Sequence, residues 1–149
     1  MRLILSLLLV LLCTSRADAF FGDMFGDSVK TVIARDGRII IDVADLEPSR
    51  SRHYLYDDGR TAVRFFIVRD NKKVVRAAVD ACEVCWREKK GYVMQDGAMV
   101  CLNCGRKFPM DRIGMTAGGC NPHPLKFDMD NASVVISADE LSLGAKYFF

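Results

Sequence analysis

Arg52-His53-Tyr54-Leu55-Tyr56-Asp57-Asp58-Gly59-Arg60-Thr61-Ala62-Val63-Arg64-Phe65-Phe66-Ile67-Val68-Arg69 decides the fold class. Two runs rich in aromatic and β-branched residues flank Asp58-Gly59, the punctuation of a β-hairpin. Within residues 61–69, Val63, Phe65 and Ile67 alternate with Ala62, Arg64 and Phe66, which gives the strand one clearly apolar face. Working outward, Asp36-Gly37 stands between the runs 29–34 and 38–43, and Asp96-Gly97 between 91–94 and 98–101. Asp70-Asn71-Lys72 turns the chain back into 74–79, and Val134-Val135-Ile136 makes a late strand. Ser137-Ala138-Asp139-Glu140 has the form of a capping box that opens a short helix over 141–145. The expectation is a mainly β protein, a hairpin-rich sheet core with a short C-terminal helix, in a single domain over residues 20–149.

The amino end reads differently. Arg2 precedes an apolar run over 3–13, and Ala17-Asp18-Ala19 supplies an A-x-A cleavage site. That is the pattern of a secretory signal peptide over residues 1–19. The run is too short to cross a bilayer, which needs roughly twenty apolar residues. Cys13 follows Leu12, where a lipoprotein site wants a small residue, so it is expected to leave with the leader. The mature chain is then expected in the periplasm, cleaved near Ala19. Loss of Arg2, Arg16 and Asp18 leaves the net charge close to neutral, down from the +2 of the full chain. Nothing in that balance recruits nucleic acid or an anionic membrane, and about 130 residues suffice for one core.

Five cysteines remain: Cys82 and Cys85, Cys101 and Cys104, and Cys120 in Gly118-Gly119-Cys120-Asn121-Pro122-His123. They lie in an insertion-like segment, 81–125. Two C-x2-C pairs separated by a hairpin match the way two short loops bring thiolates around one metal. Cys101-Leu102-Asn103-Cys104-Gly105 has the form of a zinc-ribbon or rubredoxin knuckle, in which glycine permits the return turn. The first pair carries Trp86 in the place of Gly105. A disulfide framework is the alternative for an exported chain, but two bridges would leave an odd sulfur. Thiol–disulfide exchange wants a C-x2-C opening a helix, whereas both pairs fall among turn and strand signals. Covalent haem is excluded, because Trp86 and Gly105 stand where a histidine is required.

If the two pairs fill one tetrahedron, Cys120 is left over on a glycine-rich loop. His123, three residues on, is either an exposed residue in a rigid Pro-flanked turn or a member of a second ligand set with Cys120. His53 reads as a strand residue. Met94, Met99, Met110 and Met115 crowd the segment as gap-fillers. No Ser/His/Asp order or paired acid stands out, so an electron-transfer or metal-binding protein is expected in preference to an enzyme.

These residues also carry a resemblance. Asp80-Ala81-Cys82-Glu83-Val84-Cys85, Lys90-Gly91-Tyr92, Val100 through Gly105, Phe108, Arg112-Ile113-Gly114 and Gly118 through Pro122 resemble the FtrD-like family. The likeness extends upstream through His53-Tyr54, Asp58-Gly59 and Val63 to Phe66, and on to Tyr147-Phe148-Phe149. The resemblance implies an iron–sulfur protein that serves a bacterial ferrous-iron uptake system. Its implied partners are an iron permease and a periplasmic cupredoxin-like iron-binding protein, with membrane association only through them. It implies Cys82, Cys85, Cys101, Cys104 and Cys120 as ligands of iron or an iron–sulfur cluster, zinc being the alternative. A single arginine, Arg2, in the n-region of the leader suits export of an unfolded chain that acquires its metal outside. That favours one metal ion over a preassembled cluster. A redox-active metal means electron transfer or iron handling, whereas zinc means a structural closure for a binding module.

Overall fold

The computed structural model describes residues 29–60 and 62–149. The expected leader and Cys13 lie outside the described residues. Among the described residues the chain forms ten strands and one α-helix, mainly β as the punctuation implied. The strands are β1 (Lys30–Val32), β2 (Arg38–Asp42), β3 (Arg50–Asp57), β4 (Ala62–Arg69), β5 (Val75–Val79), β6 (Tyr92–Gln95), β7 (Ala98–Cys101), β8 (Lys107–Pro109), β9 (Asp128–Asp130) and β10 (Ser133–Ser137), followed by α1 (Ala138–Gly144). They assemble into three sheets: β1-β3-β4-β5, β2-β10-β9 and β6-β7-β8.

The four-stranded sheet sits in the middle. Along β4, Val63, Phe65 and Ile67 pack into a core shared with Ile39 and Ile41 of β2, Val134 and Ile136 of β10, and Leu141 of α1. Phe66 and Val68, on the other face, join a second core with Tyr92, Met99, Phe108, Met110 and Ile113. β5 divides the same way, Ala77 and Val79 to one side and Ala78 to the other. The alternation expected for one apolar face therefore understates β4, because β6-β7-β8 covers the reverse face as well.

Two of the expected hairpins form as paired arms. Asp57 pairs with Ala62 across Asp58-Gly59, and Gln95 pairs with Ala98 across Asp96-Gly97. The first does not. Arg35 and Arg38 exchange backbone hydrogen bonds of 2.8 and 3.0 Å around Asp36-Gly37, but then the arms part. β1 joins β3 in parallel, and β2 joins β10 antiparallel. The reason lies in the side chains: Ile39 and Ile41 are buried in the first core, whereas β1 has two exposed residues in three and serves as an edge. The capping box is realised, since the Glu140 N–H donates to Ser137 Oγ at 3.1 Å. No helix among the described residues is long and apolar enough to cross a membrane.

Candidate metal centre

Three pieces of chain carry the cysteines to one end of the second core. The first leaves β5. Asp80 continues the pairing, its N–H donating to the Arg64 carbonyl at 2.9 Å, and Cys82 is then buried against the core, 1% exposed. The chain wraps back so that the Cys85 N–H donates to Cys82 Sγ at 3.1 Å, a knuckle bond that fixes the sulfur's place. Trp86, in the glycine position of an ideal knuckle, instead opens a single 3₁₀ turn, Trp86–Glu88.

The second piece ends β7. Cys101 is 3% exposed and belongs to the same core. Its loop closes as the Gly105 N–H donates to the Cys101 carbonyl at 2.9 Å. Gly105 has φ +72° with open space where a Cβ would stand, so conformation and not crowding calls for glycine there. The third piece is Pro122-His123-Pro124. The Val79 N–H donates to the His123 carbonyl at 2.8 Å, and the His123 N–H to the Ala81 carbonyl at 3.0 Å. Proline has no N–H to give, so alternating prolines suit a segment that bonds along one side. This rail lies along β5 and returns Cys120 to the two knuckles.

The sulfurs do not group as the pairing pattern suggested. Cys85, Cys104 and Cys120 are the trio whose Sγ atoms all lie within 4.8 Å of one another, a group able to hold a metal ion. Cys120 is thus a member, not a leftover. Cys82 couples to Cys85 and Cys120, and Cys101 to Cys85 and Cys104, so the five sulfurs form one connected set. The leading cysteine of each knuckle points into the core while the trailing one stands outward, where the 118–120 loop crosses. None of the five is joined in a disulfide.

Their electrostatics follow from this crowding. An Asn103 hydrogen bond draws the Cys85 thiol down, yet burial and the neighbouring Cys82 and Cys101 hold it up at about 12. Burial raises Cys120, helped by Cys104 and Cys82. Cys104 goes the other way, lowered first by the Arg106 backbone N–H aimed at its sulfur. Thiols packed so closely resist carrying several negative charges without a cation among them. All five donors are soft sulfur, which fits thiolate-bound iron, an iron–sulfur cluster or zinc.

Several supporting residues figured only in the resemblance, with no role of their own. Asn103, which meets Cys85, is steadied by Lys90, whose Nζ donates to its Oδ1 at 3.2 Å. Tyr92 donates its hydroxyl to the Cys120 carbonyl at 2.6 Å, and its phenol is raised, chiefly by burial. Its own N–H donates to buried Asp80 Oδ1 at 2.7 Å, while Arg64 Nη2 lies 3.2 Å from Asp80 Oδ2. Burial pushes the Asp80 carboxyl up to about 7, against the pull of Arg64 and of the Tyr92 N–H. Gly91 makes this possible: a Cβ there would lie 2.5 Å from Asp80 Oδ2 and 2.8 Å from Arg64 Nη2. The Lys90-Gly91-Tyr92 run could have pointed to it, but only once Asp80 was known to face it. A cavity of about 260 Å³ opens beside the sulfurs, walled by Leu55, Trp86, Tyr92, Tyr147 and Phe148.

His53 and His123 separate cleanly. His53 is buried, its ring centroid 5.5 Å from that of Phe66. His123 stands at the edge of the centre, its Nδ1 3.2 Å from the Tyr147 hydroxyl and 4.0 Å from Glu83 Oε1. Its pKa is lowered by burial and by Lys146, with Glu83 and Glu140 opposing.

The family model of the membrane iron-sulfur containing FtrD-like proteins matches residues 46–148, and this chain belongs to that family. No curated protein sequence matches the chain. Among solved structures, a quaternary ammonium Rieske monooxygenase in complex with an inhibitor is similar at 16% identity and a TM-score of 0.45. The match covers 76% of this chain and 33% of that one, so the chain spans about a third of that protein's length.

Proposed function

We propose that this chain is an exported iron–sulfur protein that relays electrons as an accessory of a bacterial ferrous-iron uptake system. In this reading Cys85, Cys104 and Cys120 bind the metal, and Cys82 and Cys101 close it off from below. Thiolate-bound iron would supply one-electron exchange. The protein's part is to hold the thiolates, to direct N–H groups at them and to leave one edge accessible.

The observation that carries the reading is the convergence of five thiols from three loops, with one edge at the surface. Cys104 is exposed. Val84 and Leu102, inside the two C-x2-C loops, are 63% and 51% exposed. An apolar rim around an exposed ligand suits brief docking of an electron partner, since such encounters use small interfaces. The family's association with iron supports an iron permease and a periplasmic cupredoxin-like protein as the partners, with the chain reaching the membrane only through them.

A second reading has one observation in its favour. The 4.8 Å grouping lies close to a single tetrahedral ion, whose ligand–ligand edge is roughly 3.8 Å for bonds of about 2.3 Å. One thiolate-bound ion, iron or zinc, is therefore the competitor to a cluster. Metal analysis of protein purified anaerobically from the exported fraction, with a count of free thiols, tests both. Several irons with inorganic sulfide per chain support the cluster, and one iron supports the mononuclear redox site. Zinc, or no metal and paired sulfurs, removes the electron-transfer role.

A further inference from the structure

A second donor set lies beside the sulfurs. His123 Nδ1, the Tyr147 hydroxyl and Glu83 Oε1 are separated by 3.2, 3.5 and 4.0 Å. They come from three distant parts of the chain: the first knuckle, the Pro-flanked rail and the C-terminal 3₁₀ turn, Ala145–Tyr147. Glu83 lies in the first knuckle, between Cys82 and Cys85 in the chain. His123 is held by two backbone bonds to Val79 and Ala81. Tyr147 is buried in the first core.

The chemistry differs from that of the sulfur centre. Imidazole, carboxylate and phenol are borderline-to-hard donors, the set that suits first-row divalent ions and disfavours copper(I). Donor separations of this size are those of one face of a coordination sphere, and side-chain exposures of 23% at His123 and 46% at Glu83 leave the outer positions to water. The surrounding charge agrees. Glu83 and Glu140 act on His123 from one side and Lys146 from the other, leaving the site net acidic once the imidazole is neutral. Lys146 sits over the Tyr147 ring, 4.9 Å from its centroid, and hydrogen-bonds the Tyr147 hydroxyl, drawing down a phenol that burial raises.

We infer that Glu83, His123 and Tyr147 form a separate site for a divalent first-row cation such as Fe2+, built on the same loops as the cysteine centre. A Cβ on Gly118 would lie 3.8 Å from Glu83 Oε2, so the carboxylate also faces the loop that presents Cys120. An ion bound here rests a few residues from the sulfurs without sharing a ligand with them. The site stands whether the cysteines hold a cluster, one iron or zinc.

Anaerobic equilibrium dialysis of the full exported protein against Fe2+, with the cysteine-bound metal already in place, tests this. The wild-type protein is expected to take up one Fe2+ per chain beyond the metal held by sulfur. His123→Ala and Glu83→Gln are each expected to weaken that uptake on the order of tenfold or more, with the sulfur-bound metal and the far-ultraviolet circular dichroism unchanged. Tyr147→Phe, which keeps the buried ring, is expected to weaken it less. No additional Fe2+ on the wild-type protein, or equal uptake by His123→Ala and Glu83→Gln, overturns the site. The sulfur-bound metal is counted in the same samples, so failure of the electron-transfer reading registers separately.

Discussion

The two faces of the central sheet are built to different ends. On one face Val63, Phe65 and Ile67 meet strands β2 and β10 and helix α1 in an apolar core. On the other, Phe66 and Val68 meet a thinner layer whose core includes Cys82 and Cys101 and is bordered by Cys85 and Cys120. The first face is closed mainly by apolar area. The second ends in thiols that repel one another when ionised, and in the proposed reading a cation among them completes it. The lesson is that one strand can anchor a stable core and a ligand-dependent one at the same time, by sending alternate side chains to each.

Phe65→Ala gives the largest expected loss. Phe65 is fully buried and its ring stacks on Tyr54 at 5.2 Å, and truncation is expected to cost about 3–5 kcal/mol by denaturant unfolding. A cost under about 1 kcal/mol would mean that the first face is not the anchor.

Stripping the sulfur-bound metal with a chelator sharpens the contrast directly. Amide exchange in Tyr92–Gln95 and Ala98–Cys101 is expected to speed up, while Arg38–Asp42 and Ser133–Ser137 keep their protection. Equal loss in both sets of strands would erase the distinction between the faces.

Gly91→Ala is a smaller and local break. It drives a Cβ into Asp80 and Arg64 and places alanine at positive φ, for an expected cost of about 1–3 kcal/mol. Metal retention should fall with it, because the Tyr92 N–H bond to Asp80 and the Tyr92 hydroxyl bond to Cys120 share that residue. Unchanged thermal stability and metal content would show the Arg64–Asp80 pair to be idle.

The smallest effect is alkaline. Burial raises the Tyr54 phenol to about 12, Arg52 lowering and Asp45 raising it further. A group raised in the folded state loses its contribution as pH climbs past the unfolded value of 10.0 toward 12. Stability should therefore fall over that window more steeply in the wild-type protein than in Tyr54→Phe. Parallel pH profiles would place the phenol outside the first core.

Much of this was legible in the chain. Asp58-Gly59 and Asp96-Gly97 specify their hairpins because local turn chemistry and strand register act together there. Asp36-Gly37 makes its turn but not its hairpin, since the burial of Ile39 and Ile41 against β10 is a long-range preference that no local pattern encodes. The second buried face of β4 was hidden because Arg64 and Ala62, which share that face with Phe66 and Val68, broke its apolar run. The cysteines announced a candidate metal site, but not their grouping. Which sulfur of a knuckle faces the core depends on the strand beneath it, and Cys120 is placed by the Val79 N–H donating to the His123 carbonyl and the His123 N–H donating to the Ala81 carbonyl. Asp80, Arg64 and Gly91 were invisible as a unit, being brought together only by the pairing of β4 with β5.

The most direct test of the redox account is a reductive titration of the intact exported protein, followed in the visible spectrum. The account predicts a thiolate-to-iron charge-transfer band that bleaches reversibly as the centre takes up one electron, and that is lost when Cys85 and Cys104 are both replaced by serine. A colourless protein, or a band indifferent to reductant, would contradict it and leave the cysteines as a structural clamp beside the sheet.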